Sequence, residues 1–228
     1  MQQPFRSARL DRRAFVRGGA ALGVGALVAA TPWLAHGAGA VQHAAAVDQP
    51  EIANCDAWGA RPPSSPVTVL DYKPNKIIVH HTALANSTDY SQAHAFADAR
   101  DIQSLHMDTN GWLDTGQQFT NSRGGWLTEG RHGSLAALLG GQTMVEGAQC
   151  VGQNDQSIGI ENEGTYLDVQ PPQALWDQLV TFCAFICQQY GLPATEIYGH
   201  KDFNDTQCPG LIHDRLPELR TSVATLLG

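Results

Sequence analysis

Positive charge is scarce in this sequence, cysteine is sparse, and no apolar run is long enough to cross a membrane. Lys and Arg number 14 against 22 Asp and Glu, a formal net charge of −8. Phosphate binding depends on Lys and Arg, so the balance argues against a nucleic-acid partner. Five cysteines in 228 residues do not make a disulfide mini-protein. A content of 43% hydrophobic and 16% charged residues excludes a disordered chain and a collagen-like repeat. The uncharged run Gly18–Ala30 falls short of the roughly 20 residues that a bilayer core demands, and no other run reaches that length. What remains is one globular domain, since a chain this long buries about 70% of its unfolded surface without staples.

The charge is unevenly placed. Five of the 14 basic residues and one of the 22 acids lie within the first 40 positions, which leaves 9 against 21 and a net of −12 beyond them. A basic start, a short apolar run and the small residues Ala38-Gly39-Ala40 form a secretory signal. Within it, Asp11-Arg12-Arg13-Ala14-Phe15-Val16-Arg17 resembles the twin-arginine export motif. The expected organisation is a twin-arginine signal peptide at 1–40, a flexible leader at 41–54 and one domain at 55–228. The mature chain is expected outside the cytoplasm, secreted or associated with the cell wall, with no stable membrane anchor once the signal is removed.

Hydrophobic periodicity gives the coarse architecture. Lys76–His81 is a β-branched run that predicts a buried strand. Tyr90–His106 predicts a helix, with Ser87, Thr88 and Asp89 as capping candidates. Gln117–Ser122 and Trp126–Glu129 flank Arg123-Gly124-Gly125, a hairpin signal. Ser157–Glu161 alternates small or polar with apolar residues, which predicts a half-buried strand with Glu161 and Glu163 on its polar face. In Pro172–Tyr190, Leu175, Leu179, Phe182, Ile186 and Tyr190 recur at helical spacing, and Gly191 and Pro193 stop the run. Leu211–Leu227 predicts a terminal helix. The fold class is α/β, a mixed sheet covered by helices.

One polar stretch carries chemistry. His200 and Cys208 lie eight positions apart in a loop after a short apolar segment, and imidazole with thiolate is a donor set that zinc prefers. Three protein ligands and an open position make a catalytic site, whereas structural sites close with four. The pair His80-His81, at the end of a strand, is the obvious source of the third ligand. A strand places only one of the two on a given face, and spacing does not say which. Glu161, on another strand, either accepts a proton from a water activated there or, with Glu163, solvates an exposed sheet face. His94, His106, His132 and His213 form no tight metal spacing and are read as surface or groove residues.

Five ordered motifs complete the reading. They are Trp58-Gly59-Ala60-Arg61-Pro62, Ile77-Ile78-Val79-His80-His81-Thr82, Gly111-Trp112-Leu113-Asp114-Thr115-Gly116, Ser157-Ile158-Gly159-Ile160-Glu161 and Gly199-His200 with Cys208-Pro209-Gly210. Together they resemble the zinc N-acetylmuramoyl-L-alanine amidases related to peptidoglycan recognition proteins, over roughly Cys55 to Leu227. The resemblance implies a mixed central sheet with helices on both sides and a groove over one edge. It implies hydrolysis of the amide between N-acetylmuramic acid and L-alanine, with the glycan strand and stem peptide of peptidoglycan as the partner; the chain is expected to be a monomer. It implies Zn²⁺ held by His80, His200 and Cys208, with His81 pointing into the opposite layer. Glu161 matches the proposed base of an Asp-liganded bacterial branch, and Thr206 matches a position able to support the developing oxyanion. Some relatives with this fold bind peptidoglycan without cutting it, typically where the Cys ligand is replaced, so a non-catalytic binding module is the alternative. Many members carry a Tyr where this chain has Gln117, and an amide cannot take over a proton-transfer role.

With Cys208 set aside, Cys55, Cys150, Cys183 and Cys187 form an even set in an exported chain, which predicts two disulfides. A Cys183–Cys187 bridge suits helical i,i+4 geometry poorly. That leaves Cys55 with Cys183 or with Cys187, and some animal relatives join an N-terminal Cys to this same helix. The expected pairing is Cys55–Cys183 with Cys150–Cys187.

Overall fold

A computed structural model describes residues 46–228. The signal at 1–40 and the first residues of the leader lie outside the described residues. The elements in chain order are short strands and helices: β1 (Ile52–Ala53), α1 (Cys55–Trp58), β2 (Val69–Leu70), β3 (Lys76–His81), α2 (Gln92–Ser104), β4 (Phe119–Asn121), β5 (Leu127–Glu129), α3 (Ser134–Gly140), β6 (Met144–Val145), β7 (Ser157–Asn162), α4 (Gln173–Tyr190), β8 (Ile197–Gly199), α5 (Leu211–Asp214) and α6 (Leu216–Leu227).

Six strands form one mixed sheet in the order β1-β5-β4-β7-β3-β8. The β4–β5 pair is antiparallel, the hairpin expected around Arg123-Gly124-Gly125. The other neighbours in this sheet are parallel. β2 and β6 make a separate antiparallel pair.

The side-chain alternation of the central strands explains the layering. Ile77 and Val79 of β3, Ile158 and Ile160 of β7, and Phe119 of β4 belong to the main core with α4 and α6. Phe119 and Phe182 meet edge to face at 4.9 Å and 82°. α4 ends where Gly191 adopts φ 73°, a left-handed cap that glycine accepts without strain. A smaller cluster of Cys55, Trp58 and Ala99 joins α1 to α2. The Trp58 indole N–H donates to the Glu129 carbonyl and so ties that cluster to β5. Mixed sheet and flanking helices therefore match the expected class.

Several local expectations need correction. α2 is capped by Ser91, whose hydroxyl accepts from the His94 N–H, and not by Ser87, Thr88 or Asp89. It widens at its end into one π turn, Leu105–Thr109. The terminal helix is broken at Arg215 into α5 and α6. β7 is not half-exposed: it lies between β4 and β3, and only Glu161 along it is less than fully buried. The leader is not loose from residue 46 onward. β1 pairs in parallel with β5, and the Val47 N–H and carbonyl both bond the Gln188 side chain, at 2.6 and 3.1 Å. The expected disulfides are absent: all five cysteines are free and buried. Cys55 sits in the small cluster with its Sγ donating to the Gly130 carbonyl, while Cys183 and Cys187 lie in the main core. Cys150 donates to Asn204 Oδ1. The thiols thus pack as small, weakly polar groups and not as bridges.

Candidate metal centre and active site

Three parallel strands deliver the site at their carboxyl ends, where open α/β sheets place ligands. β3 and β7 run in register, so His80 stands directly beside Glu161, two residues beyond Ile78 and Gly159 on the same face. β8 pairs with the other side of β3 and hands over directly to His200, the first residue of a short 3-10 turn. Cys208 returns to this point at the end of the loop after that turn. His80, His200 and Cys208 each offer one ligand atom, and all three atoms lie within 4.8 Å of one another. The Cys208 Sγ stands 3.7 Å from His80 Nδ1. Two tetrahedral bonds of about 2.1 and 2.3 Å would separate their ends by about 3.6 Å, so this spacing fits a zinc ion.

The two imidazoles suit a cation. Burial lowers the His80 pKa to about 3, with His200 adding to the effect, and burial lowers that of His200 too, so both rings are neutral donors. Burial pushes the Cys208 thiol up, and the Glu161 charge raises it further. The His81 N–H donates to Cys208 Sγ at 3.3 Å and opposes that rise. Burial alone pushes the Glu161 carboxyl up to about 8. Its Oε2 is buried without a hydrogen-bond partner, and its Oε1 lies 4.0 Å from His80 Nδ1.

A cleft of about 440 Å³ opens over these groups, and Thr206 and Gln207 form part of its wall. Thr206 Oγ1 accepts from the Cys208 N–H at 3.2 Å, which leaves the hydroxyl proton free for the cleft. His81, expected in the opposite layer, also borders the cleft where β3 ends, with its Nδ1 accepting from the Tyr166 N–H. Gln117 does not line the cleft; its amide donates to Thr120 Oγ1 at 3.0 Å.

The N-acetylmuramoyl-L-alanine amidase family matches residues 70–211 of the chain. The chain belongs to this amidase family. Peptidoglycan-recognition protein LB of Drosophila melanogaster is 31% identical over 154 residues, which are 67% of this chain and 61% of that protein. A human N-acetylmuramoyl-L-alanine amidase is 29% identical over 157 residues, 67% of this chain and 25% of that protein. The chain therefore spans under two thirds of the first of these relatives and a quarter of the second. A solved structure of Drosophila peptidoglycan-recognition protein LB superposes with a TM-score of 0.61 at 29% identity, over 70% of this chain and 88% of that one. A second structure of that protein, a point mutant, is in complex with tracheal cytotoxin.

Around this candidate site the structure adds residues that motif spacing did not single out. Gln149 and Asn204 hydrogen-bond His80 and His200. Their side-chain amides carry no metal-ligand signature, so only the fold could find them. A second cluster unites His94, Asp98 and Glu163, within 4.8 Å of one another. His94 and Asp98 are four apart on α2, a spacing legible in sequence, but Glu163 joins them only through the sheet. Among the described residues, His132 pairs with Asp114, His213 with Asp202, and His106 lies beside Trp112.

Proposed function

We propose that the chain is a zinc-dependent N-acetylmuramoyl-L-alanine amidase, exported by the twin-arginine route, that cleaves the amide between N-acetylmuramic acid and L-alanine in peptidoglycan. The observation that carries this reading is the meeting of His80, His200 and Cys208 beside the Glu161 carboxyl, whose Oε2 has no hydrogen-bond partner, at the base of one open cleft. Membership of the amidase family and the tracheal cytotoxin held by a related protein support the substrate class.

His80, His200 and Cys208 would hold the zinc. When bound, the ion supplies a Lewis acid for the scissile carbonyl and lowers the pKa of a water towards about 7. Glu161 accepts a proton at its free Oε2 as the water oxygen bonds to the carbonyl carbon. It returns that proton to the leaving L-alanine nitrogen as the carbon–nitrogen bond breaks. The products are the lactyl carboxylic acid and a free amine, and the acid's proton passes to the amine to leave carboxylate and ammonium. The Thr206 hydroxyl donates to the oxygen that gains charge between these steps. The main cleft continues into a neighbouring one of about 290 Å³, sharing Leu167, Thr206 and Gln207 and adding Lys201 and Asp214. That extension gives a stem peptide a polar bed.

Digestion of defined muropeptides, followed by mass spectrometry of the new ends, tests this reading. Free lactyl carboxylate and N-terminal L-alanine are expected, lost in excess chelator and regained with zinc. Full cleavage after verified zinc removal overturns the zinc mechanism. Muropeptide binding without cleavage by the zinc-loaded protein would identify a binding module instead.

A further inference from the structure

We propose that two side-chain amides, Gln149 and Asn204, lock both zinc-site histidines into the tautomer that presents Nδ1, and that one turn, residues 149–154, holds both locks. The inference rests on reading His80, His200 and Cys208 as the zinc site.

The hydrogen-bond chain fixes the direction of each amide. The Ser157 hydroxyl donates to the Gln153 carbonyl at 2.7 Å, which uses its one proton. Ser157 Oγ can therefore only accept from Gln149, whose Nε2 lies 2.8 Å away. The nitrogen end of the Gln149 amide faces Ser157, so its oxygen end faces His80 Nε2 at 2.5 Å. An amide oxygen cannot donate, and His80 must carry its proton on Nε2. The lone pair is left on Nδ1, which stands 3.7 Å from Cys208 Sγ.

Asn204 repeats the arrangement for the second ring. Its Nδ2 donates to the carbonyls of Phe203 and Val151, at 3.0 and 3.3 Å. Its Oδ1 then faces His200 Nε2 at 3.1 Å and also accepts from the Cys150 thiol. His200 is protonated at Nε2 by the same logic. The turn joins the two devices: Asn154 Oδ1 accepts from the N–H groups of both Gln149 and Cys150, at 2.7 and 2.9 Å. Gly159 makes room for the first lock, because a Cβ there would stand 2.5 Å from Gln149 Cγ.

The partner on the far nitrogen orients a ligating imidazole and tunes its basicity. Carboxylate partners raise that basicity, whereas neutral amides orient the ring without adding charge. Gln149 and Asn204 are thus positioning residues, acting through His80 and His200.

The test uses the full-length protein with ¹⁵N-labelled histidine, together with zinc competition against a chromophoric chelator. In the metal-free parent, both rings are expected as the Nε2–H tautomer. Gln149→Leu should shift the His80 ring towards mixed tautomers while His200 keeps its signature, and Asn204→Leu should do the reverse. Each should weaken zinc binding by about 10–100-fold. Gln149→Glu keeps an acceptor towards His80 Nε2 and should keep the His80 tautomer, with zinc affinity at least as high as in the parent because a carboxylate adds basicity, which separates the lock from simple packing and covers a Leu variant that does not fold. An Nδ1–H signature for His80 in the parent overturns the proposal. So does a folded Leu variant with unchanged tautomer and affinity, or one that disturbs both rings alike. A parent with two Nε2–H rings but no zinc binding leaves the locks standing and removes the zinc reading.

Discussion

Glu161 owes its raised pKa to burial, and its second oxygen is left without a partner. Removing only the charge separates proton transfer from metal binding. Glu161→Gln is expected to retain stoichiometric zinc while kcat for muropeptide cleavage drops by about 10²–10⁴-fold; normal turnover would assign the proton to another group. Asp98 offers a second residue-level test, away from the cleft. Burial raises its pKa from 3.8 to about 6; Glu163 and Asp101 add to the rise, and His94 opposes it. The folded chain thus keeps a proton that the unfolded chain has lost, so this group's contribution to stability falls as pH climbs from about 4 to 6 and stays low above. Asp98→Asn should melt above the parent at pH 8, with the margin closing towards pH 4, as followed by circular dichroism. Among individual residues, the types of the metal-site donors were legible, because imidazole nitrogen and thiolate sulfur are the donors zinc takes, in a recognisable pattern. Choosing between His80 and His81 took the resemblance to a family, since strand alternation is symmetric. Gln149 and Asn204 were illegible, because their roles arise from hydrogen-bond direction and not from spacing.

Elements were legible where apolar residues recur in register with the backbone. α4 carries Leu175, Leu179, Phe182 and Ile186 along one stripe, and all four are fully buried. Phe182→Ala should cost about 3–5 kcal/mol in urea unfolding, since it deletes a core ring packed on Phe119. A loss below about 1 kcal/mol would mean that the core closes over the gap. β7 was misread because Ser157, Gly159 and Glu161 look like a solvated face. They form a buried polar one instead, with Gln149 lying across it. Hydrophobic alternation cannot separate those two cases. The π turn after α2 and the break at Arg215 lack a periodic signature altogether.

At the scale of the whole molecule, counting cysteines misled. An even set of four in a chain expected to be exported predicts bridges, yet the fold keeps Cys55 in the small cluster and Cys183 and Cys187 in the main core, with Cys150 outside both and bonded to Asn204. Burial raises Cys150 to about 11 and Cys187 to about 12, which keeps both protonated and unreactive. Alkylation in denaturant without reductant should therefore label five cysteines; peptides still joined in pairs would restore the bridges. The mixed sheet and its helical layers were legible from the order of elements, whereas the strand at its margin was hidden in an unpatterned leader. That strand, β1, has a consequence for solution behaviour. It covers the outer side of β5 with a ladder only two residues long, held down by Val47 on Gln188. A chain trimmed to begin at Cys55 would bare the β5 backbone as an open template for a second molecule. Such a chain should elute as growing oligomers in size-exclusion chromatography, while one beginning at residue 46 stays dispersed.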